Sequence, residues 1–501
     1  MKILTGWCSA LCLSVSTIYA QATNDLNAQL QQLQEQQHRM REQFEQQLRE
    51  QQAQIDLLKS QLATAQTNEL PPAAGPAWDP TQPVRLGSGS AYMDIGLVGT
   101  VAIGASTADD IEGGTQPGGH DPNQRGFTFQ GAEVNFTGAV DPYFRGNVNV
   151  LFSVDSEGES FVELEEGWLE TISLPGNLQL RAGQLLTSFG RHNTQHPHQW
   201  SFVDAPLANA LFLGPDGLRN PGAQISWLAP VPFFAEVSLG VQNSHGETAA
   251  PFRSSGHHHG TSEDHLELPF GFRHPDNDRG VGGPGDLLYS PRLAMSFDLT
   301  DSQTLLIGAS GAFGPNSSGG SGDTMTQIYG VDLYWKWKPA TAHGGFPFLS
   351  WQTEAILRRY ELGRFNWDEN GNGLADEGEV VDPDTGLPAV LGRETVTDYG
   401  FYSQVLWGFR KGWVAGLRWD CIFGERADYE SRGLLLDGAP LGRDPHRRER
   451  WRLSPNLTWY PSEFSKLRLQ YNYDYHRTLG SDHSVWLQLE FLLGAHAAHS
   501  F

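Results

Sequence analysis

Ser484-Val485-Trp486-Leu487-Gln488-Leu489-Glu490-Phe491-Leu492-Leu493-Gly494-Ala495-His496-Ala497-Ala498-His499-Ser500-Phe501 is the stretch on which the reading of the fold turns. Val485, Leu487, Leu489, Phe491, Leu493, Ala495, Ala497 and the terminal Phe501 share one parity, broken only by His499. Gln488, Glu490, His496 and Ser500 fall on the other. Side chains alternate across a strand, so one face is apolar and the other mostly polar, with Trp486 and Leu492 as exceptions. The apolar register runs for about twice the usual five or six residues of a globular strand. It also ends on an aromatic, and the combination predicts the closing strand of a transmembrane β-barrel.

The same alternation recurs upstream, at 91–105, 126–139, 143–154, 161–173, 177–189, 222–229, 232–242, 287–299, 302–313, 326–337, 347–360, 397–409, 412–423, 448–459 and 465–477. With 484–501 this makes sixteen segments. Short connections such as Asp141-Pro142, Pro175-Gly176, Ala229-Pro230, Thr300-Asp301-Ser302 and Lys411-Gly412 alternate with mostly longer ones. Short turns on one side, long loops on the other and an even count predict an all-β fold. Residues 90–501 are read as an antiparallel transmembrane barrel of about 16 strands in a bacterial outer membrane, its lipid the first partner. Trp335, Trp337, Trp407, Phe409, Trp459 and Tyr460 stand where strands approach short connections. Half-solvated rings suit a membrane interface. A soluble β-sandwich or propeller is the competing reading, and no blade-length repeat supports it.

Upstream of the barrel the chain changes character. Lys2, the apolar run Ile3 to Ala20 and the small residues around Ala20-Gln21-Ala22 predict a secretory signal peptide over residues 1–22. Cys8 and Cys12 would leave with it, so Cys421 could form no disulfide within the mature chain. Asn24 to Gln66 contains neither Gly nor Pro, and Leu26, Leu30, Leu33, Met40, Phe44, Leu48, Ile55, Leu58 and Leu62 follow a heptad-like seam with one stutter. That predicts a periplasmic coiled coil over 23–68 and a homo-oligomer, a homotrimer suiting a porin-like barrel. A disordered glutamine-rich tract is the alternative. Pro71-Pro72-Ala73-Ala74-Gly75-Pro76 opens a linker over 69–89.

A formal net charge of −24 over 501 residues argues against nucleic acid as partner. If the apolar parity faces lipid, the other lines the lumen, with Arg145, Glu163, Glu165, Arg181, Arg292, Asp332, Glu354, Arg418, Asp420 and Arg468 among the pore-lining charges. Both signs are present, without the basic excess that anion selection requires.

Two loops carry metal-ligand patterns. In 368–379, Asp368, Asn370, Asn372, Asp376 and Glu379 take positions 1, 3, 5, 9 and 12 of a calcium loop, with Leu374 offering a carbonyl and Gly373 the sharp turn. Ca²⁺ is the ion expected there, ordering an external loop. A histidine-rich connection holds His245, His257, His258, His259 and His265, which suit Zn²⁺ or a similar ion. The connection from His192 to Gly222 is long enough to fold inward, which would place His196 and His198 near the lumen as further zinc candidates.

Gly126-Phe127, Asp141-Pro142-Tyr143-Phe144, Val162-Glu163-Leu164-Glu165-Glu166 and Arg181-Ala182-Gly183-Gln184 carry a family resemblance. The order around Arg181-Ala182-Gly183-Gln184 resembles the phosphate-selective porin group of the outer-membrane porin superfamily. The segment from His196 to Leu207 is similar to plugless proteins labelled zinc-regulated TonB-dependent outer membrane receptors. The resemblance implies a transport barrel.

The leading expectation is a porin-type channel for passive diffusion of small solutes or ions. The alternatives are a divalent-metal (zinc) uptake channel using the His-rich loop and a structural envelope tether held by the coiled coil. No Ser, His and acid set stands out at one rim, so an enzyme is not expected.

Overall fold

A computed structural model of the chain describes residues 84–88, 91–253, 268–275, 280–319, 322–477 and 480–494. The expected signal peptide, the coiled coil, most of the linker, residues 495–501 and the cluster His257, His258, His259 and His265 lie outside the described residues.

Alternation of apolar and polar side chains produces sixteen antiparallel strands that close on themselves. They are β1 Ala91–Ser106, β2 Gly126–Ala139, β3 Phe144–Val154, β4 Ser160–Thr171, β5 Leu178–Leu186, β6 Arg219–Leu228, β7 Phe234–Asn243 and β8 Leu287–Thr300. The second half is β9 Gln303–Pro315, β10 Met325–Trp337, β11 Phe348–Leu362, β12 Glu394–Arg410, β13 Trp413–Gly424, β14 Arg450–Ser462, β15 Ser465–His476 and β16 Gly480–Gly494. Each strand pairs with the next, and β16 returns to β1 with Leu493 opposite Leu97 and Leu487 opposite Ile103. The last strand begins at Gly480, ahead of the expected 484. The described helices are short, α1 Leu207–Leu213 and α2 Asp428–Ser431 being the two α-helices.

Burial is inverted relative to a soluble sheet. On β16, Leu487, Leu489 and Phe491 are exposed at 42–49%, whereas Gln488 is 4% and Glu490 0% exposed. Leaving each such side chain in water would forgo about 1.5–3 kcal/mol of transfer free energy. An outer surface built this way around the barrel is therefore a hydrocarbon-facing surface. Exposed Tyr143, Phe144, Trp407, Phe409 and Trp459 ring the short-turn end, with Trp413 and Trp459 stacked at 5.9 Å.

At the long-loop end, the connections after β11 and β13 build a lobe with its own apolar core, including Trp367, Val380, Leu391, Tyr429 and Leu434. Two-residue and three-residue strands from both connections pair there, Val380 opposite Leu436. This lobe carries the calcium-type loop.

Candidate functional site

The connection between β5 and β6, residues 187–218, turns into the barrel instead of leaving it. Its sequence explains why: Phe189, Phe202, Val203, Leu207, Phe212, Leu213 and Leu218 are all buried. Several pack on inward apolar positions of the wall, among them Ala312, Ile328, Ile356 and Ile422. Bare backbone lets the segment press close. A Cβ on Gly330 would stand 2.6 Å from the Phe189 ring, and one on Gly400 would stand 2.7 Å from Ala208 and 2.8 Å from the Phe212 ring.

One side of this inserted segment meets a basic wall formed by β13, β14 and β15. Asp204 is its hub. Its carboxylate accepts from Arg418 (2.6 Å), Arg452 (3.1 Å), Gln470 (2.9 Å) and Asn472 (2.8 Å). Arg468 donates to the carbonyls of Trp200 and Phe202, and Lys466 to that of His198. Asp420 and Glu354 accept from the backbone N–H groups of Leu207 and of Arg191 and His192. Burial alone would raise the Asp204 carboxyl, but Arg418 and Arg452, with Gln470 and Asn472, hold it down at about 2. Loop 107–125 closes over the same segment, Asp121 accepting from the Ala205 N–H at 2.7 Å.

The opposite side meets an acidic wall on β2, β3 and β4. Two β-bulges shape it. Across from β1, Gln130 is an extra residue on β2 beside Gly131; across from β3, Glu165 is an extra residue on β4 beside Glu166. A bulge aims two consecutive side chains to one face, and Glu133, Glu165 and Glu166 are all turned inward and buried. His196 stands among them: Nδ1 lies 3.2 Å from Glu165 Oε2 and 3.5 Å from Glu133 Oε1, and Nε2 lies 3.0 Å from Glu166 Oε2. His198 Nδ1 donates to Glu133 Oε2 at 2.9 Å, and His120 Nε2 lies 3.5 Å from Glu165 Oε1. Arg219 pairs with Glu163. Burial lowers the His196 pKa, yet Glu133, Glu165 and Glu166 together carry it well above its ordinary value. His192, packed 4.9 Å from the Trp200 ring, is pushed by burial and by Arg418 down to about 3 and carries no charge.

The expected pore-lining charges all face inward, but most do not front water. Asp332, Glu354, Arg418, Asp420 and Arg468 are buried under the inserted segment or in ion pairs, Arg292 with Asp332 at 2.6 Å. Placed there, Glu354, Arg418, Asp420 and Arg468 hold the inserted segment against the wall. Glu163 and Glu165 belong to the acidic wall. Arg145 and Arg181 keep partly exposed side chains, both paired with Glu170. Trp486 and Leu492, apolar exceptions on a polar face, are buried inside, Trp486 against Ile111 and Val203 of the two inward loops.

The zinc candidates are divided. His196 and His198 are brought together, their rings stacked at 5.8 Å. His245 is exposed after β7 and makes a backbone bridge to Arg253. In the calcium-type loop, Asn370 and Asn372 both donate to Asp376, Asp368 accepts from the Gly373 N–H, and Glu379 accepts from the Asp376 N–H. The Leu374 side chain is exposed.

Glu133 and Glu166 are candidate-site residues that strict parity passes over, and His120 of loop 107–125 lies outside any strand pattern. The signal is a phase slip. Phe127 and Phe129 are outward on odd numbers before Val134 and Phe136 take even ones; Val162 and Leu164 precede Leu169 in the same way.

On the short-turn side of the constriction lies a chamber of about 350 Å³, lined by Arg191, Trp200, Tyr334, Lys336, Gln404 and Tyr460. Arg191 covers the Tyr334 ring at 4.1 Å.

No family model matches the chain. Among solved structures, the outer membrane channel DcaP of Acinetobacter baumannii aligns at 11% identity and TM-score 0.47, over 80% of this chain and 97% of that one. Pseudomonas putida OprB aligns at 11% and 0.45, over 80% and 94%. An uncharacterized protein of Aquifex aeolicus (strain VF5) is 31% identical over 407 residues, covering 77% of this chain and 73% of the relative. With identity at that level across most of both lengths, the chain belongs to the same family as the Aquifex aeolicus protein.

Proposed function

We propose that the protein is an outer-membrane channel of porin type, through which small solutes or ions diffuse passively past the constriction made by residues 187–218. The observation that carries this reading is the inverted burial: hydrocarbon-facing Leu, Phe and Trp outside, and buried Glu, Gln, Arg and Asp inside. A polar interior admits water and solute wherever the inserted segment leaves it unfilled. The chamber beside the constriction supplies such a space.

Planar-bilayer recordings of the purified protein test the reading. Discrete conductance steps are expected, and Asp204→Ala, which unfastens the inserted segment, should enlarge them. A protein that inserts into the bilayer and never conducts would overturn the proposal.

Two finer readings attach to it, with a tether as the rival to the first. The seam over Asn24 to Gln66 assembles the protein as a homotrimer through a periplasmic coiled coil, checked by the mass of the detergent-solubilised assembly with and without that segment. Loss of envelope integrity with unchanged conductance on deleting it would favour the tether reading instead. Ca²⁺ held by Asp368, Asn370, Asn372, Leu374, Asp376 and Glu379 stiffens the outer lobe. Chelation should then raise protease sensitivity within 363–393, and Asp368→Ala should remove the response.

A further inference from the structure

We propose that the acidic wall and the inserted segment together form a binding site for a divalent transition-metal ion inside the constriction, with Glu133 Oε1, Glu165 Oε2 and His196 Nδ1 as its ligands. These groups come from two strands and the inserted segment, and they lie within 4.8 Å of one another, all buried. The His196 nitrogen stands 3.5 Å from the Glu133 oxygen and 3.2 Å from the Glu165 oxygen. Metal bonds of about 2.0–2.2 Å in a tetrahedral array place neighbouring ligand atoms about 3.3–3.6 Å apart. The two separations from His196 Nδ1 match that spacing.

A second observation points to the same ligand. Glu133 is 4% exposed, and its Oε1 accepts no hydrogen bond. A buried carboxylate oxygen left in that state is costly, and the cost is removed when a cation binds it. The other atom of each proposed ligand is already held. His198 Nδ1 lies 2.9 Å from Glu133 Oε2, His120 Nε2 lies 3.5 Å from Glu165 Oε1, and His196 Nε2 lies 3.0 Å from Glu166 Oε2. A ligating imidazole whose far nitrogen faces a carboxylate, with ligating carboxylates themselves held, is the support that fixes ligand orientation at metal centres. The bulges that turn Glu165 and Glu166 inward as neighbours are what make both roles available on one strand.

The donor set chooses the class of ion. One imidazole and two carboxylates suit Zn²⁺, Co²⁺ or Ni²⁺, whereas Ca²⁺ takes six to eight oxygens and Mg²⁺ retains its waters. Small cavities border the cluster, one of about 30 Å³ lined by Glu165 and His196 and one of about 20 Å³ lined by Glu133 and His198. Seated here, the ion ties the inserted segment to the acidic wall. Its part in permeation rests on the channel reading; its binding does not.

The test uses the full-length protein in detergent, with His245, His257, His258, His259 and His265 changed to Ala to remove the loop histidines named as zinc candidates, and Co²⁺ and Zn²⁺ as probes. One tightly bound ion per chain is expected, with the visible absorption of tetrahedral Co²⁺ and an X-ray absorption edge showing nitrogen and oxygen neighbours only. Glu133→Gln combined with Glu165→Gln should abolish that ion. Glu166→Gln should retain the stoichiometry and weaken affinity by about 10–100-fold. Folding of each variant is checked by its heat-modifiable migration, and Glu166→Gln keeps the test decisive where the double variant fails to fold. No bound ion in the loop variant, undiminished affinity in the folded double variant, or undiminished affinity in folded Glu166→Gln overturns the site. Conductance without an ion sinks the site alone, and an ion without conductance sinks the channel reading alone.

Discussion

Strands β13–β15 meet the inserted segment with guanidinium groups, whose charge is fixed at every physiological pH, whereas β2–β4 meet it with carboxylates whose counter-charges are largely imidazoles. On the basic wall Asp204 has all its acceptor capacity used, by four side chains from three strands. On the acidic wall one oxygen of Glu133 is left without a hydrogen bond. The contrast teaches that the two contacts do different jobs. A saturated, permanently charged contact is an anchor; an unsaturated contact neutralised by groups that can lose their protons is exchangeable.

Breaking the anchor should have the largest effect. Asp204→Ala leaves Arg418 and Arg452 buried without their shared carboxylate and is expected to cost about 3–5 kcal/mol, read as a lower unfolding midpoint of the heat-modifiable form. Changing the pH sharpens the contrast, because only the acidic wall depends on a group that loses its charge in alkali. Asp204 has a depressed pKa, so its contribution is present above its ordinary 3.8 and is lost as pH falls towards about 2. The loss amounts to about 2 kcal/mol. His196 has a raised pKa, so in metal-free protein its contribution is present below 6.5 and is lost as pH rises through the elevated value. Hydrogen exchange should therefore accelerate around Phe202 to Leu207 in acid and around His196 to Trp200 in alkali. Acceleration of both stretches in alkali, where the arginines around Asp204 keep their charge, would show that the walls are not independent.

A smaller effect, about 1–2 kcal/mol, is expected from Glu133→Gln in metal-free protein, because the amide oxygen can still accept from His198 while Glu165 and Glu166 remain beside His196. The smallest belongs to Arg145→Ala. Its side chain is half exposed, and Arg181 remains to pair with Glu170, so the change should stay within about 1 kcal/mol. A cost at Glu133 as large as that at Asp204 would erase the distinction between anchor and exchangeable contact.

The barrel was legible in the sequence because its cause is local. A strand's two faces alternate residue by residue, and lipid outside with polar groups inside stamps that alternation on Val485 to Leu493 as on every other strand. Closure followed from the even count, and β1 does meet β16. The constriction was legible only as a possibility of loop length, since Asp204 finds its arginines through contacts that no local pattern encodes. For the same reason Arg418, Asp420 and Arg468 read as open wall positions although they lie under the inserted segment. The acidic wall lay between these cases. Adjacent Glu165 and Glu166 break a strict alternation, and the apolar parity changes phase after them, which is the mark a bulge leaves on the residue order. What such a slip cannot name is the imidazole that will arrive opposite it.

The partners of Asp204 lie 214 residues ahead of it at Arg418, 248 at Arg452, 266 at Gln470 and 268 at Asn472. A chain that assembles from its first strands onward reaches the inserted segment when none of those strands is in place. The Asp204 anchor can therefore be fastened only once β13–β15 are present. Until β13–β15 arrive, the growing sheet surrounds a loose strap, and a barrel halted at that stage would be a wide vessel with an unfastened lining.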